Sequence, residues 1–92
     1  GASHRVRAYE ALGQCFLEKT QFNVAATILA RALQEPGVGD EKLVGVLYLL
    51  GYATEAQHHY PEALAFYPRV FAVDIRFRDV SDRIAALERR AK

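Results

Sequence analysis

The 92-residue chain carries 12 basic and 11 acidic side chains, a net charge of +1, and is 51% hydrophobic. It has enough apolar surface to fold as one domain and too little net charge for bulk attraction to nucleic acid or anionic lipid. A single cysteine rules out an internal disulfide and a cysteine-based zinc cluster, and no uncharged run approaches the ~18 residues that span a bilayer.

Gly1 to His4 has no hydrophobic signal core and leads into a helix. With neither signal nor span, the default compartment is cytoplasmic. Tyr9, Leu12, Gly13, Phe16 and Leu17 follow the spacing of one helical face, and Ala25, Ile28, Leu29, Ala32 and Leu33 repeat it. The polar break Thr20 to Asn23 between them is long enough only for a return, so the two segments form a helical hairpin. Pro36-Gly37-Val38-Gly39-Asp40 is a firm stop, with glycine suited to a left-handed turn and Asp40 to a helix cap.

From Glu41 to about Gln57 the chain is apolar nearly all round, which predicts a helix at the centre of the fold. His58-His59-Tyr60-Pro61 is the next turn, and Ala63, Leu64, Tyr67, Val70 and Phe71 carry a fourth helix with Pro68 expected to kink it. Phe77, Val80, Ile84 and Leu87 give a narrow stripe in a polar last helix. No alternating stretch argues for a strand. The expectation is an all-α fold of about five helices, each antiparallel to the one before.

The chain also repeats itself. Leu12 and Leu50, Gly13 and Gly51, Phe22 and Tyr60, Ala25 and Ala63, and Leu29 and Tyr67 are all 38 positions apart. The next offset is 34, from Leu50 to Ile84, so the unit is one of 34 residues with about four extra at Pro36 to Asp40. A helix-pair repeat near 34 residues points to a solenoid, in which one pair cannot bury its own apolar face and copies stack. Close helix crossings need small residues, which predicts that Gly13 nests against Ala25 and Gly51 against Ala63.

These residues resemble the tetratricopeptide repeat. The first copy reads Tyr9, Leu12-Gly13, Phe16, Phe22, Ala25, Leu29, Ala32 and Pro36. The second reads Leu47, Leu50-Gly51, Ala53, Tyr60, Glu62-Ala63, Phe66-Tyr67, Phe71 and Asp74, with Thr54 where the family has an aromatic. The resemblance implies a single domain over residues 1–92: repeats at 6–37 and 44–75, then a capping helix at 77–91, stacked as a right-handed superhelix. Two copies plus a cap suggest the C-terminal piece of a longer array.

By the same resemblance the chain is a non-catalytic protein-interaction module that binds a peptide or partner helix along the first helix of each pair. The residues so named are Arg7, Glu10, Gln14, Leu17 and Glu18, then Tyr48, Tyr52, Glu55 and Ala56, and from the cap Asp79, Asp82, Ala86 and Arg89. Tyr48 and Tyr52, one turn apart, are the expected anchors. Among the charged residues here Glu10, Glu18, Glu55, Asp79 and Asp82 outnumber Arg7 and Arg89, which suits a ligand with a few basic side chains rather than a terminal carboxylate. Self-association through the N-terminal face is one alternative. RNA binding through Arg83, Arg89, Arg90 and Lys92 is a weaker one, because Asp79, Asp82 and Glu88 alternate with them as on a solvated face. Cys15 reads as a buried inert thiol, and His58, His59 and Glu62 as a solvated turn. No nucleophile, acid–base pair, phosphate loop or metal cluster is legible, so neither enzymatic activity nor a cofactor is expected.

Overall fold

The computed structural model describes residues 1–90 as five helices: α1 (Ala2–Glu18), α2 (Phe22–Ala32), α3 (Asp40–Ala56), α4 (Tyr60–Val73) and α5 (Val80–Arg90). There is no strand among the described residues. The last helix begins at Val80 rather than residue 77, because Phe77 to Asp79 form the turn that leads into it. Its expected end at residue 91 lies outside the described residues. Asp40 is the first residue of α3 rather than its cap, a place Gly39 takes. There it favours the helix dipole and is held bidentately by Arg69 of α4, at 2.8 and 3.0 Å.

Each helix packs on its predecessor, and α1 also touches α3. That places α3 among α1, α2 and α4. Its all-round apolar sequence is accounted for by this position: Val46, Leu47 and Ala53 have no exposed surface, and Leu43, Leu49 and Leu50 almost none. Burying each such Leu or Val side chain is worth about 1.5–3 kcal/mol.

The repeat read from the sequence recurs in the backbone of the two hairpin turns. Lys19 and Gln57 close α1 and α3 with nearly identical dihedrals (φ −87°, ψ 5° and φ −87°, ψ 3°), and Gln21 and His59 open α2 and α4 in the same matched way. Between them Thr20 and His58 both adopt the left-handed conformation, at φ 57° and 63°. The same bonds hold both turns. Thr20 N–H donates to Leu17 and Gln21 N–H to Phe16, as His58 donates to Glu55 and His59 to Thr54, all at 2.9 Å. Gly37 has φ 73° in the linker between the hairpins, where glycine meets the left-handed conformation without strain.

Large side chains of the returning helices lie over both glycines. Gly13 and Gly51 are buried, as are Ala25 and Ala63. The atoms nearest an added Cβ at Gly13 belong to Leu29, at 2.5 Å, and those at Gly51 to the Tyr67 ring, also at 2.5 Å. Leu29 and Tyr67 are repeat-equivalent, so the principle of close approach holds with a large side chain over each glycine. Thr54, buried where an aromatic is expected, satisfies its hydroxyl by donating to the carbonyls of Leu50 and Gly51 at 2.7 and 3.0 Å. Helix α4 runs without a break across Pro68, which lies on its exposed side beside Ser81 and Ile84.

Two further expectations change. Cys15 is exposed, not buried, and Leu12 is 47% exposed. Their equivalents on α3, Ala53 and Leu50, are buried, because α3 has helices on several sides while α1 packs mainly on α2 and α3.

Candidate functional site

Apart from Asp79, which pairs with Arg83, the residues named from the sequence fall into three clefts and one exposed flank. Gln14, Leu17 and Glu18 of α1 meet Tyr48, Leu49 and Tyr52 of α3 and Arg78 of the α4–α5 turn around a cleft of about 270 Å³. Arg7 and Glu10 lie further along α1, in a second cleft with Val6, Val38 and Lys42. There the Glu10 carboxylate rests over Gly45 of α3, in space a Cβ would occupy. The third cleft brings Glu55 and Ala56 together with Tyr52, His58, Tyr60, Arg83 and Arg90. Asp82, Ala86 and Arg89 are exposed and line none of these clefts.

On α5 it is Arg83 and Arg90 that face the site, because burial of Val80 and Leu87 against the core fixes the rotation of the helix. A sequence reading places these arginines on a solvated face. Their spacing from Val80 and Leu87, three residues on in each case, is the signal that could have found them.

Tyr48 and Tyr52 have opposite fates. Tyr48 is 6% exposed. Its ring packs on Tyr67 and Phe77, with centroids 5.7 and 5.6 Å away, and the Arg78 guanidinium lies 5.0 Å above it. Its hydroxyl donates to Asp79 and accepts from Arg83 Nε at 3.1 Å. Tyr48 is therefore a wall of the site and not a free anchor. Tyr52 is 37% exposed, edge-on to Phe22 with centroids 6.3 Å apart, and carries the Arg83 guanidinium 5.1 Å over its ring. It lies between the first and third clefts and borders both.

Arg83 ties three helices together. Its guanidinium binds Glu55 at 3.0 Å through Nη1 and Asp79 at 3.0 Å through Nε, and Glu55 also accepts from the Tyr67 hydroxyl at 2.8 Å. Two of the five acidic residues expected to greet a basic ligand, Glu55 and Asp79, are thus already engaged internally. Burial raises both Tyr67 and Tyr48, and the carboxylates of Glu55 and Asp79 that accept from them raise them further. Burial alone would lower the Arg83 guanidinium, and the oxygens of Tyr67, Glu55 and Tyr48 more than reverse this.

Two aspartates are expected to make the fold acid-sensitive. At Asp40 the hydrogen bonds from Arg69 outweigh burial and hold the carboxyl below its ordinary 3.8. At Asp79 burial pulls upward, but Tyr48 and Arg83 more than offset it. A carboxyl whose pKa is lower folded than unfolded stabilises the fold above the unfolded value and loses that contribution as pH falls through the folded value. The melting temperature is therefore expected to hold from neutrality to about pH 5 and to decline below 3.8. A variant with both Asp40→Asn and Asp79→Asn should start lower at neutral pH and show a shallower acid decline, which calorimetry across pH checks.

No group of three or more potential metal ligands occurs among the described residues. His59 lies 3.7 Å from Glu62, and His58 stacks on Tyr60 instead. No helix among the described residues is long and apolar enough to cross a membrane. Comparison with protein-family models, with curated proteins and with solved structures gives no match for this chain.

Proposed function

We propose that the chain is a non-catalytic binding module of tetratricopeptide type, two stacked hairpins and a closing helix, that holds a peptide or partner helix along the face shared by α1, α3 and α5. The observation that carries this reading is the convergence of Gln14, Leu17, Glu18, Tyr52 and Arg78, from three separate segments, on one open cleft walled by Tyr48. Such a surface offers a half-exposed aromatic flanked by charges of both signs, the composition of an interface anchor. The matched turns and the glycine notches recurring 38 residues apart support the repeat assignment. The clefts are open, and the carboxylate of Glu55 and the hydroxyl of Tyr48 beside them are engaged with Arg83, which suits recognition of a surface rather than turnover of a substrate.

Tyr52 is the anchor in this reading, and Tyr48 supports it. Tyr52→Ala is expected to weaken partner binding by ~2 kcal/mol or more, about 30-fold, as is usual for a central aromatic, while thermal unfolding changes little. Tyr52→Ala binding a partner as tightly as the parent chain would remove the groove from consideration. A second reading, self-association, draws on the exposed Leu12 and Cys15 of α1; a constant molar mass in sedimentation over a wide concentration range would dispose of it.

A further inference from the structure

Resting on the groove reading above, we propose that the cleft between α3, α4 and α5 is an anion subsite for the side-chain carboxylate of an aspartate or glutamate within a bound peptide. Two arginine-on-tyrosine pairs lie side by side there. Arg83 stands 5.1 Å over the Tyr52 ring and Arg90 5.1 Å over the Tyr60 ring, while His58 stacks on Tyr60 at 5.6 Å and 19°. A guanidinium held against an aromatic ring, as Arg90 is here, can still offer N–H donors to a planar acceptor, and less of its motion remains to be lost on binding.

The charge inventory selects an acidic ligand. Glu55 is the one carboxylate lining the cleft, and it already accepts from the Tyr67 hydroxyl and from Arg83. Arg90 forms no ion pair with a carboxylate among the described residues. The cleft holds two arginines against one carboxylate, so the complementary charge is an anion, with Arg90 the primary donor and Arg83 holding Tyr52 and Glu55 in place. The bidentate fit of guanidinium to carboxylate makes Asp or Glu the matching group, and Tyr52, shared with the neighbouring cleft, places that group beside the segment held along α1. This reverses the basic ligand that the sequence alone suggests.

The test is selection of random peptides, acetylated and amidated at their ends, on the full chain. About twelve residues, at ~3.3 Å each when extended, match the 42 Å length of the molecule. Asp or Glu is expected to be enriched at one position of the selected peptides, and replacing it with Gln or Asn should weaken binding about fivefold. Arg90→Glu, at an exposed position, should fold normally and shift the enrichment to Lys or Arg at the same position. Selected peptides without acidic enrichment, or an enrichment untouched by Arg90→Glu, would overturn the anion subsite while leaving the groove standing, provided binding still falls with Tyr52→Ala. Capture of single-stranded RNA through Arg90 in place of peptides would overturn it too. Failure to select any peptide sensitive to Tyr52→Ala would remove the groove and the subsite together.

Discussion

Replacing Tyr67 with alanine is expected to lower the unfolding free energy by about 3–5 kcal/mol, a large share of the ~5–15 kcal/mol that holds a domain of this kind. Tyr67 has no exposed surface. Its ring fills the notch at Gly51, packs on Tyr48 with centroids 5.7 Å apart, and carries the hydroxyl that donates to Glu55 at 2.8 Å. Truncation removes the central contact of α3 with α4 and leaves a cavity between them. Tyr67→Phe separates the two contributions: the ring stays, and the loss is about 1 kcal/mol because Glu55 keeps its bond to Arg83. Urea unfolding of the two variants checks this. A Tyr67→Ala loss no greater than that of Tyr67→Phe would mean that the second hairpin is not centred on this ring.

The equivalent position in the first hairpin predicts a reversal of sign. Leu29→Ala should cost about 2–5 kcal/mol, since Leu29 is fully buried against Gly13. Gly13→Ala in the parent chain should also destabilise. Its new Cβ would lie 2.5 Å from Cγ and Cδ2 of Leu29, and overpacking of about 1–3 kcal/mol exceeds the ~1 kcal/mol that alanine gains over glycine in a helix. With Leu29 already truncated, that clash is gone and the helical preference remains. Gly13→Ala should then stabilise by up to about 1 kcal/mol. The four-member cycle measures the coupling directly, and the same sign in both backgrounds would contradict the notch.

Much of the architecture was legible because it rests on local pattern. Five segments, their order and the central place of α3 followed from apolar spacing and from Gly37 and Pro61, and the offset between Gly13 and Gly51 foretold two matching turns that the backbone dihedrals of Thr20 and His58 display. The candidate site was legible in part. Gln14, Leu17, Glu18 and Tyr52 do converge on one cleft, whereas Asp82 and Arg89 lie on the flank, because helical spacing gives a face but not the rotation that burial of Val80 and Leu87 imposes on α5.

The amino-acid sequence by itself determined the helices, the hairpin repeat and the need for small residues at the crossings, since each depends on chain-local geometry recurring at a fixed period. Tertiary structure alone decided which side chain fills each notch, and that the residue-38-apart partners Leu12 and Leu50 end at 47% and 2% exposure. It also decided that Tyr48 is covered by Phe77 and Arg78 while Tyr52 stays open, and that Arg83 consumes the acids Glu55 and Asp79. The physical reason is common to all of these. Burial and charge pairing depend on which neighbour arrives from a distant part of the chain, and identical local patterns meet different neighbours.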